Sequence, residues 1–333
     1  MCKSMNLKHT IALVAITLLS ACQSTPQSVN TNTPVIEFNP ATSTVTSQET
    51  PTATPVLTVT PSALPGVSPT PEPSMTSTKP VTSNVQGSRT ITIDHSSLPL
   101  FDQIPGEYID AASKIRLMIR GASVEWNIDN GLNCLWGNFP DRRPSSCFDA
   151  HNLKYNRSNW IYQSRGNPGW IDKVNDFVTQ VDQQSNNFDA FTFAFGYVDG
   201  QDFSGYPLIS DPNNFETLYI DKVETLEAAH PDKIFIWWTM SLARVGFGNT
   251  QNFNAMVRQY AIEHNKTLLD IADIESYDPE GNLQTNEQGY PVIYQGYTDE
   301  KQSGHLNKAG EERMAKAIWI LMARVAGWDG KAQ

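Results

Sequence analysis

The chain predicts an α/β domain built on a parallel sheet, and two observations carry that expectation. From Ile115 onward, short apolar strand-like runs alternate with segments whose apolar residues recur every three or four positions. The span over which this happens, taken as 89–330, is about 240 residues, a size that suits one α/β domain with a core of its own. Strand–helix alternation requires crossover connections, so the sheet should be parallel and covered by helices on both faces.

The elements follow in order. Ile115 to Ile119 reads as a strand, and Val124, Ile128, Leu132 and Leu135 then mark a helix. Trp170, Val174, Phe177, Val178 and Val181 mark a second helix. Phe191 to Phe195 is a strand ending at Gly196, followed by a helix from about Asn214 to Ala229. Lys233 to Trp238 is the next strand, with Phe253, Met256, Val257 and Tyr260 on the helix after it. Leu268 to Ala272 reads as the last core strand. A final helix runs from Lys308 to Val325, with Asn307 as its N-cap. Arg116 and Arg120 strain this scheme, because they flank and enter a strand expected to be central.

The N-terminal part has a different character. Lys3 and Lys8 precede an apolar run from Ile11 to Leu19, too short to span a bilayer permanently, so residues 1–21 read as a secretory signal. Leu19-Ser20-Ala21-Cys22 resembles a bacterial lipobox, which implies that Cys22 is diacylated and anchors the chain at the outer face of a membrane. Residues 22–88 hold 11 of the 21 prolines, are otherwise rich in Thr and Ser, and cannot bury enough apolar surface to fold. They are expected to form a disordered tether reaching up to roughly 200 Å. The formal net charge is −11, and loss of Lys3 and Lys8 with the leader takes it to −13. No basic run occurs, so nucleic acid is not an expected partner. In an exported domain, Cys134 and Cys147 are expected to form a disulfide worth roughly 3 kcal/mol at this loop length.

Two segments carry chemistry. Gly121-Ala122-Ser123 places a hydroxyl at a strand-to-helix turn, and Gly304-His305-Leu306-Asn307 places an imidazole just before the last helix. A serine and a histidine brought together by the fold are the core of a hydroxyl nucleophile and its base. In a parallel sheet such residues meet beyond the carboxyl ends of the strands.

On these two blocks the chain, from about Ile115 to Ala326, resembles the SGNH/GDSL hydrolase family. The resemblance implies a three-layer sandwich with a flavodoxin-like sheet. It also implies ester hydrolysis, including removal of acetyl groups from polysaccharides, with Ser123 as nucleophile, His305 as base and no cofactor or metal. The family acid stands three residues before the histidine, where this chain has Gln302. The nearest upstream acids are Asp299 and Glu300, with Asp299 the first candidate; Asp273 and Glu275, just past the last strand, are the alternatives. Without any of them the imidazole would rest on a backbone carbonyl or on Gln302. The family's Gly-x-Asn-Asp block corresponds to Gly196-Tyr197-Val198-Asp199, which lacks the asparagine that donates to the oxyanion. The expected donors are therefore the N–H of Ser123, that of Gly166 in Arg165-Gly166-Asn167-Pro168-Gly169, and the Asn167 amide. Val198 and Gln302 keep a second reading open, a module of this fold that binds glycan or a protein partner without turnover. A lipid esterase is a third. Trp126, Trp136, Trp160, Trp170, Trp237 and Trp238 offer faces on which sugars stack, although most should lie in the core. Asp270, Asp273 and Glu275 match no calcium loop.

Overall fold

A computed structural model describes residues 90–139, 143–145 and 147–331. The expected leader over 1–21, the anchor Cys22 and the tether of 22–88 lie outside the described residues. Six strands form one sheet: β1 (Ile91–Ile93), β2 (Leu117–Gly121), β3 (Trp160–Ser164), β4 (Ala190–Phe193), β5 (Ile234–Trp238) and β6 (Thr267–Leu269). Their order is β1-β6-β5-β4-β2-β3 and every pairing is parallel. Counted from β2 and leaving out β1, this is the doubly wound 2-1-3-4-5 arrangement, with its topological switch point between β2 and β4.

The helices are α1 (Gly106–Ala112), α2 (Ser123–Trp136), α3 (Trp170–Gln184), α4 (Pro212–Phe215), α5 (Asp221–Ala229), α6 (Gly248–Glu263), α7 (Ile271–Ser276) and α8 (Lys308–Val325). Side chains alternate across the sheet as a strand's period of two requires. Leu117 and Ile119 of β2, with Ile236 and Trp238 of β5, pack under α1, α2 and α8. Met118 and Trp237 point the other way, into the layer under α3, α5 and α6. The result is a three-layer α/β sandwich with an apolar core on each side of the sheet. Helix α8 is buried over most of its surface, and Trp319 on it meets Trp160 of β3 at 4.3 Å between ring centroids.

Several expected boundaries move, each for a local reason. The first predicted strand begins at Leu117 because Arg116 is spent on Asp189, with its backbone N and Nε each 3.0 Å from Oδ2. Arg120 does lie within β2, where Asp176 of α3 meets its guanidinium at 2.7 and 2.9 Å. Both arginines are thus neutralised at the sheet's margins, and β2 lies one strand in from an edge. The predicted strand through Ala272 stops at Leu269, because the Asp270 carboxylate caps α7 and is held by Arg258 and Thr239. The helix expected from Asn214 begins at Pro212 and passes through one π turn, Glu216–Ile220, before α5. Cys134 at the end of α2 is bonded to Cys147, with the two Cα atoms 5.3 Å apart.

Candidate active site

The first half of the site is made by the end of β2. The chain leaves Gly121, turns at Ala122 and starts α2 at Ser123, so the serine is the first residue of the helix and is exposed. Glu125 folds back beneath the turn, and its Oε2 accepts from the Ala122 N–H at 2.6 Å. That carboxylate occupies the space where a side chain at residue 121 would stand: a Cβ there would lie 2.3 Å from the Glu125 Cβ, so only glycine fits. Tyr162 of β3 donates its hydroxyl to the Ala122 carbonyl at 2.9 Å and braces the turn from the other side.

The second half comes from the loop before α8. Arg244 and Val245, in the loop after β5, donate their backbone N–H groups to the carbonyls of Ser303 and Gln302 at 3.0 and 3.2 Å. The two loops approach so closely that a Cβ on Gly304 would lie 1.9 Å from the Leu242 carbonyl oxygen. On the far side Asn307 caps α8, accepting from the N–H groups of Ala309 and Gly310 at 3.1 and 3.2 Å. Asn127 of α2 accepts from the Leu306 N–H at 3.2 Å, which ties the loop to the helix that bears the serine.

His305, held in this way, stands over Ser123 with Nε2 at 2.8 Å from Oγ. Its Nδ1 lies 2.8 Å from Oε1 of Glu300, whose Oε2 accepts from the His305 backbone N–H at 2.9 Å. An ionised carboxylate only accepts, so Nδ1 must carry the proton and Nε2 presents its lone pair to the Ser123 hydroxyl. Tyr197, after β4, sets its ring edge-on to the imidazole at 5.7 Å.

The carboxylate that meets the imidazole is therefore that of Glu300 and not that of Asp299. Asp299 accepts from the Asn307 side chain at 3.0 Å and does not reach the imidazole. The turn through Ser303 and Gly304 leaves Glu300, five residues before the histidine, in the place behind the ring; Gln302, three before it, gives only its carbonyl to Val245. Asp273 serves a different histidine: its Oδ1 lies 2.5 Å from Nδ1 of His95, which stacks on Tyr277 at 3.5 Å. Nothing in the spacing of His95 announced that partner, 178 residues away. Glu275 is buried and accepts from the Leu242 N–H at 2.6 Å. Burial pushes its carboxyl well above the usual carboxylate range, and the nearby Glu125 adds to the effect.

An open cavity of about 470 Å³ lies beside the serine, lined by Ala122, Ser123, Trp126, Tyr162, Ser164, Gly166 and Asn167. Ser123, Gly166 and Asn167 thus border one space. Gly166 has φ +70°, a conformation that favours glycine. The Gly196 turn contributes differently. Val198 has no polar group to offer. Asp199 turns inward, where its Oδ2 accepts from the Gly196 N–H at 2.9 Å and from Nζ of Lys173 at 2.5 Å. Lys173 is wholly buried. Desolvation draws the lysine down and the aspartate up, and each partner opposes the shift in the other. Of the tryptophans, Trp160, Trp170, Trp237 and Trp238 are core residues, whereas Trp126 is 54 % exposed beside Ser123.

No family model matches the chain, and no curated protein sequence matches it. Among solved structures it is similar to a protein provisionally assigned as an acylhydrolase from Bacteroides fragilis NCTC 9343, at 14 % identity and a TM-score of 0.44, covering 64 % of this chain and 88 % of that one. It is also similar to the acetyl xylan esterase AlAXEase, at 17 % identity and a TM-score of 0.39, covering 61 % and 98 %. A third is a member of the lipolytic protein G-D-S-L family from Veillonella parvula DSM 2008, at 16 % identity and a TM-score of 0.36, covering 61 % and 95 %. Likeness this slight says nothing of chemistry, which has to be read from the chain's own side chains.

Proposed function

We propose that this chain is a serine esterase of the SGNH/GDSL type, acting through an acyl-serine intermediate. The observation that carries the reading is the continuous hydrogen-bonded row Ser123 Oγ, His305 Nε2, His305 Nδ1 and Glu300 Oε1, with both ring contacts at 2.8 Å. Oγ attacks the acyl carbon of the ester and passes its proton to Nε2. Glu300 stays ionised and steadies the imidazolium. The tetrahedral oxyanion is held by the Ser123 N–H at the start of α2, with the Gly166 N–H and the Asn167 amide as the remaining donors. Collapse breaks the C–O bond to the alcohol, which leaves with the proton from Nε2. A water then attacks the acyl carbon, gives its proton to Nε2, and the carboxylic acid departs as Oγ is reprotonated. One oxyanion donor is worth on the order of 3 kcal/mol of barrier, so with valine at position 198 the reaction depends on the donors beside Ser123.

The finer reading is removal of acyl groups, acetyl above all, from carbohydrate esters. The wide mouth of the cavity and the exposed Trp126 at its edge support it, since they leave room for a bulky alcohol. The chain is further read as exported and lipid-anchored through Cys22 to the outer face of a bacterial membrane. This rests on the lipobox-like Leu19-Ser20-Ala21-Cys22. Hydrolysis of p-nitrophenyl acetate by the wild-type chain and by Ser123→Ala tests the chemistry. A fall in kcat of at least about 1,000-fold is expected, as for removal of a nucleophile that works as part of a unit. Equal rates would remove the reading and leave a module of this fold that binds glycan or a protein partner, the alternative that Val198 favours.

A further inference from the structure

We propose that the cavity on the far side of Trp126 from Ser123 binds a neutral oligosaccharide and aligns its esterified sugar with the nucleophile. The inference rests on the esterase reading above and extends it to a part of the surface that takes no part in the chemistry.

The nucleophile and this cavity share one helix. Positions 123, 126 and 130 of α2 fall three and four apart and therefore lie along one face. Seven residues of helix put Asn130 about 10 Å along the axis from Ser123. Trp126 stands between them and lines both spaces, the 470 Å³ cavity of the serine and a larger one of about 910 Å³. The larger cavity takes Asn127 and Asn130 from α2, and Asn307 and Lys308 from the start of α8.

Asn130 singles this space out as a binding site. Its residue surface is only 8 % exposed, it lines the cavity, and its side-chain amide has no hydrogen-bond partner among the described residues. The amide is not wholly shut off from solvent, so its donor and acceptor stand open to a ligand in the cavity. An amide offers a donor and an acceptor side by side, which matches a pair of neighbouring hydroxyl groups. The exposed indole supplies what the other face of a sugar needs, a flat apolar surface against its C–H bonds. Charge narrows the ligand further. Lys308 and Arg143 share the cavity with the carboxylates of Asp129, Asp299 and Glu311, Asp129 being already paired with Arg157, and the chain as a whole carries −11. Neither sign of charge dominates the cavity, the acidic chain as a whole disfavours a polyanion, and a fatty acyl chain would strand the amides, so an uncharged polyol is the fitting occupant.

Titration calorimetry of the full chain carrying Ser123→Ala tests this without turnover, using xylohexaose, cellohexaose and chitohexaose as probes. Binding of at least one probe is expected. Adding Trp126→Ala should weaken it at least about tenfold, the scale of losing a central aromatic contact. Adding Asn130→Ala should weaken it about fivefold, the scale of one hydrogen-bonding group. Trp126 is largely exposed, so its variant keeps the readout available should Asn130→Ala lower the Tm. Absence of binding to all three probes overturns the proposal, as does binding that neither substitution changes, or binding of laurate in their place. If wild-type chain hydrolyses p-nitrophenyl acetate and no probe binds, the groove alone fails. If a probe binds as expected and Ser123→Ala does not alter ester turnover, the groove stands and the esterase reading fails.

Discussion

At the scale of single residues, the decisive contact is that of Glu300 with both the ring and the backbone of His305. Each carboxylate oxygen has one task, so ring rotation and tautomer are set together. Replacing the acceptor by an amide would turn a donor toward Nδ1 and favour the tautomer that cannot take the serine proton. Glu300→Gln is therefore expected to lower kcat on p-nitrophenyl acetate by about 100- to 10,000-fold, the range set by the equivalent change in a serine triad. Asp299→Asn should cost far less, since Asp299 bonds only to the Asn307 side chain near the site. Equal losses from the two changes would return the acid role to Asp299. Glu275 makes a second prediction, of stability. Its carboxyl is raised by burial, so the native state binds a proton that the unfolded chain releases above the ordinary glutamate range. Stability from this group is whole below that range and is lost as pH rises toward its native pKa. Glu275→Gln removes the dependence. The Tm of the variant minus that of wild type should thus become more positive from pH 5 to pH 8. Parallel Tm curves would contradict it.

At the scale of elements, the Gly196 turn and helix α3 are joined by the Lys173–Asp199 pair, with both side chains out of water. Removing one partner leaves the other buried and uncompensated, at a cost of about 3–5 kcal/mol. Lys173→Met and Asp199→Asn should each destabilise the domain on this scale in chemical denaturation, and the double variant by clearly less than their sum. Additive losses would mean that the two groups do not act as a pair. The same turn separates a bracing residue from a silent one. Asp199 still braces Gly196, and position 198 offers no donor. In the proposed reaction the first turn of α2 carries the larger share, because it supplies both the serine hydroxyl and an oriented N–H.

At the scale of the molecule, the parallel sheet gathers the loops after β2, β3, β4 and β5 at one end, and the switch point between β2 and β4 opens a crevice there. Ser123 follows β2, the Gly196 turn follows β4, and the loop after β5 carries the histidine segment to them. A site of this kind needs no moving part to assemble: the serine and histidine already meet at 2.8 Å. Anchoring through Cys22, as proposed above, would hold the chain at a membrane surface. Cys22→Ala is expected to shift the protein from the membrane fraction to the soluble fraction on sedimentation of expressing cells. Unchanged partition would remove the anchor.

The α/β class, the Ser123 turn, the start of α8 and the Cys134–Cys147 bond were legible in the sequence, because each is set by neighbours a few residues away or by a single residue type. Periodicity marks a helix, an Asn before an apolar run marks a cap, and two cysteines behind a leader-like N-terminus suggest a bond. Two short strands were not legible. β1 is three residues long, and β3 lies at a sheet edge with Ile161 exposed, so neither presents a clean apolar run. The carboxylate behind the imidazole was not legible either. Asp299 and Glu300 are neighbours of similar chemistry, and what separates them is the path of the loop. That path is fixed by Gly304 against Leu242 and by backbone bonds to residues 244 and 245, almost sixty positions earlier. Direction of a side chain in an irregular loop depends on contacts distant in sequence, so only the tertiary structure could decide which carboxylate faces the imidazole.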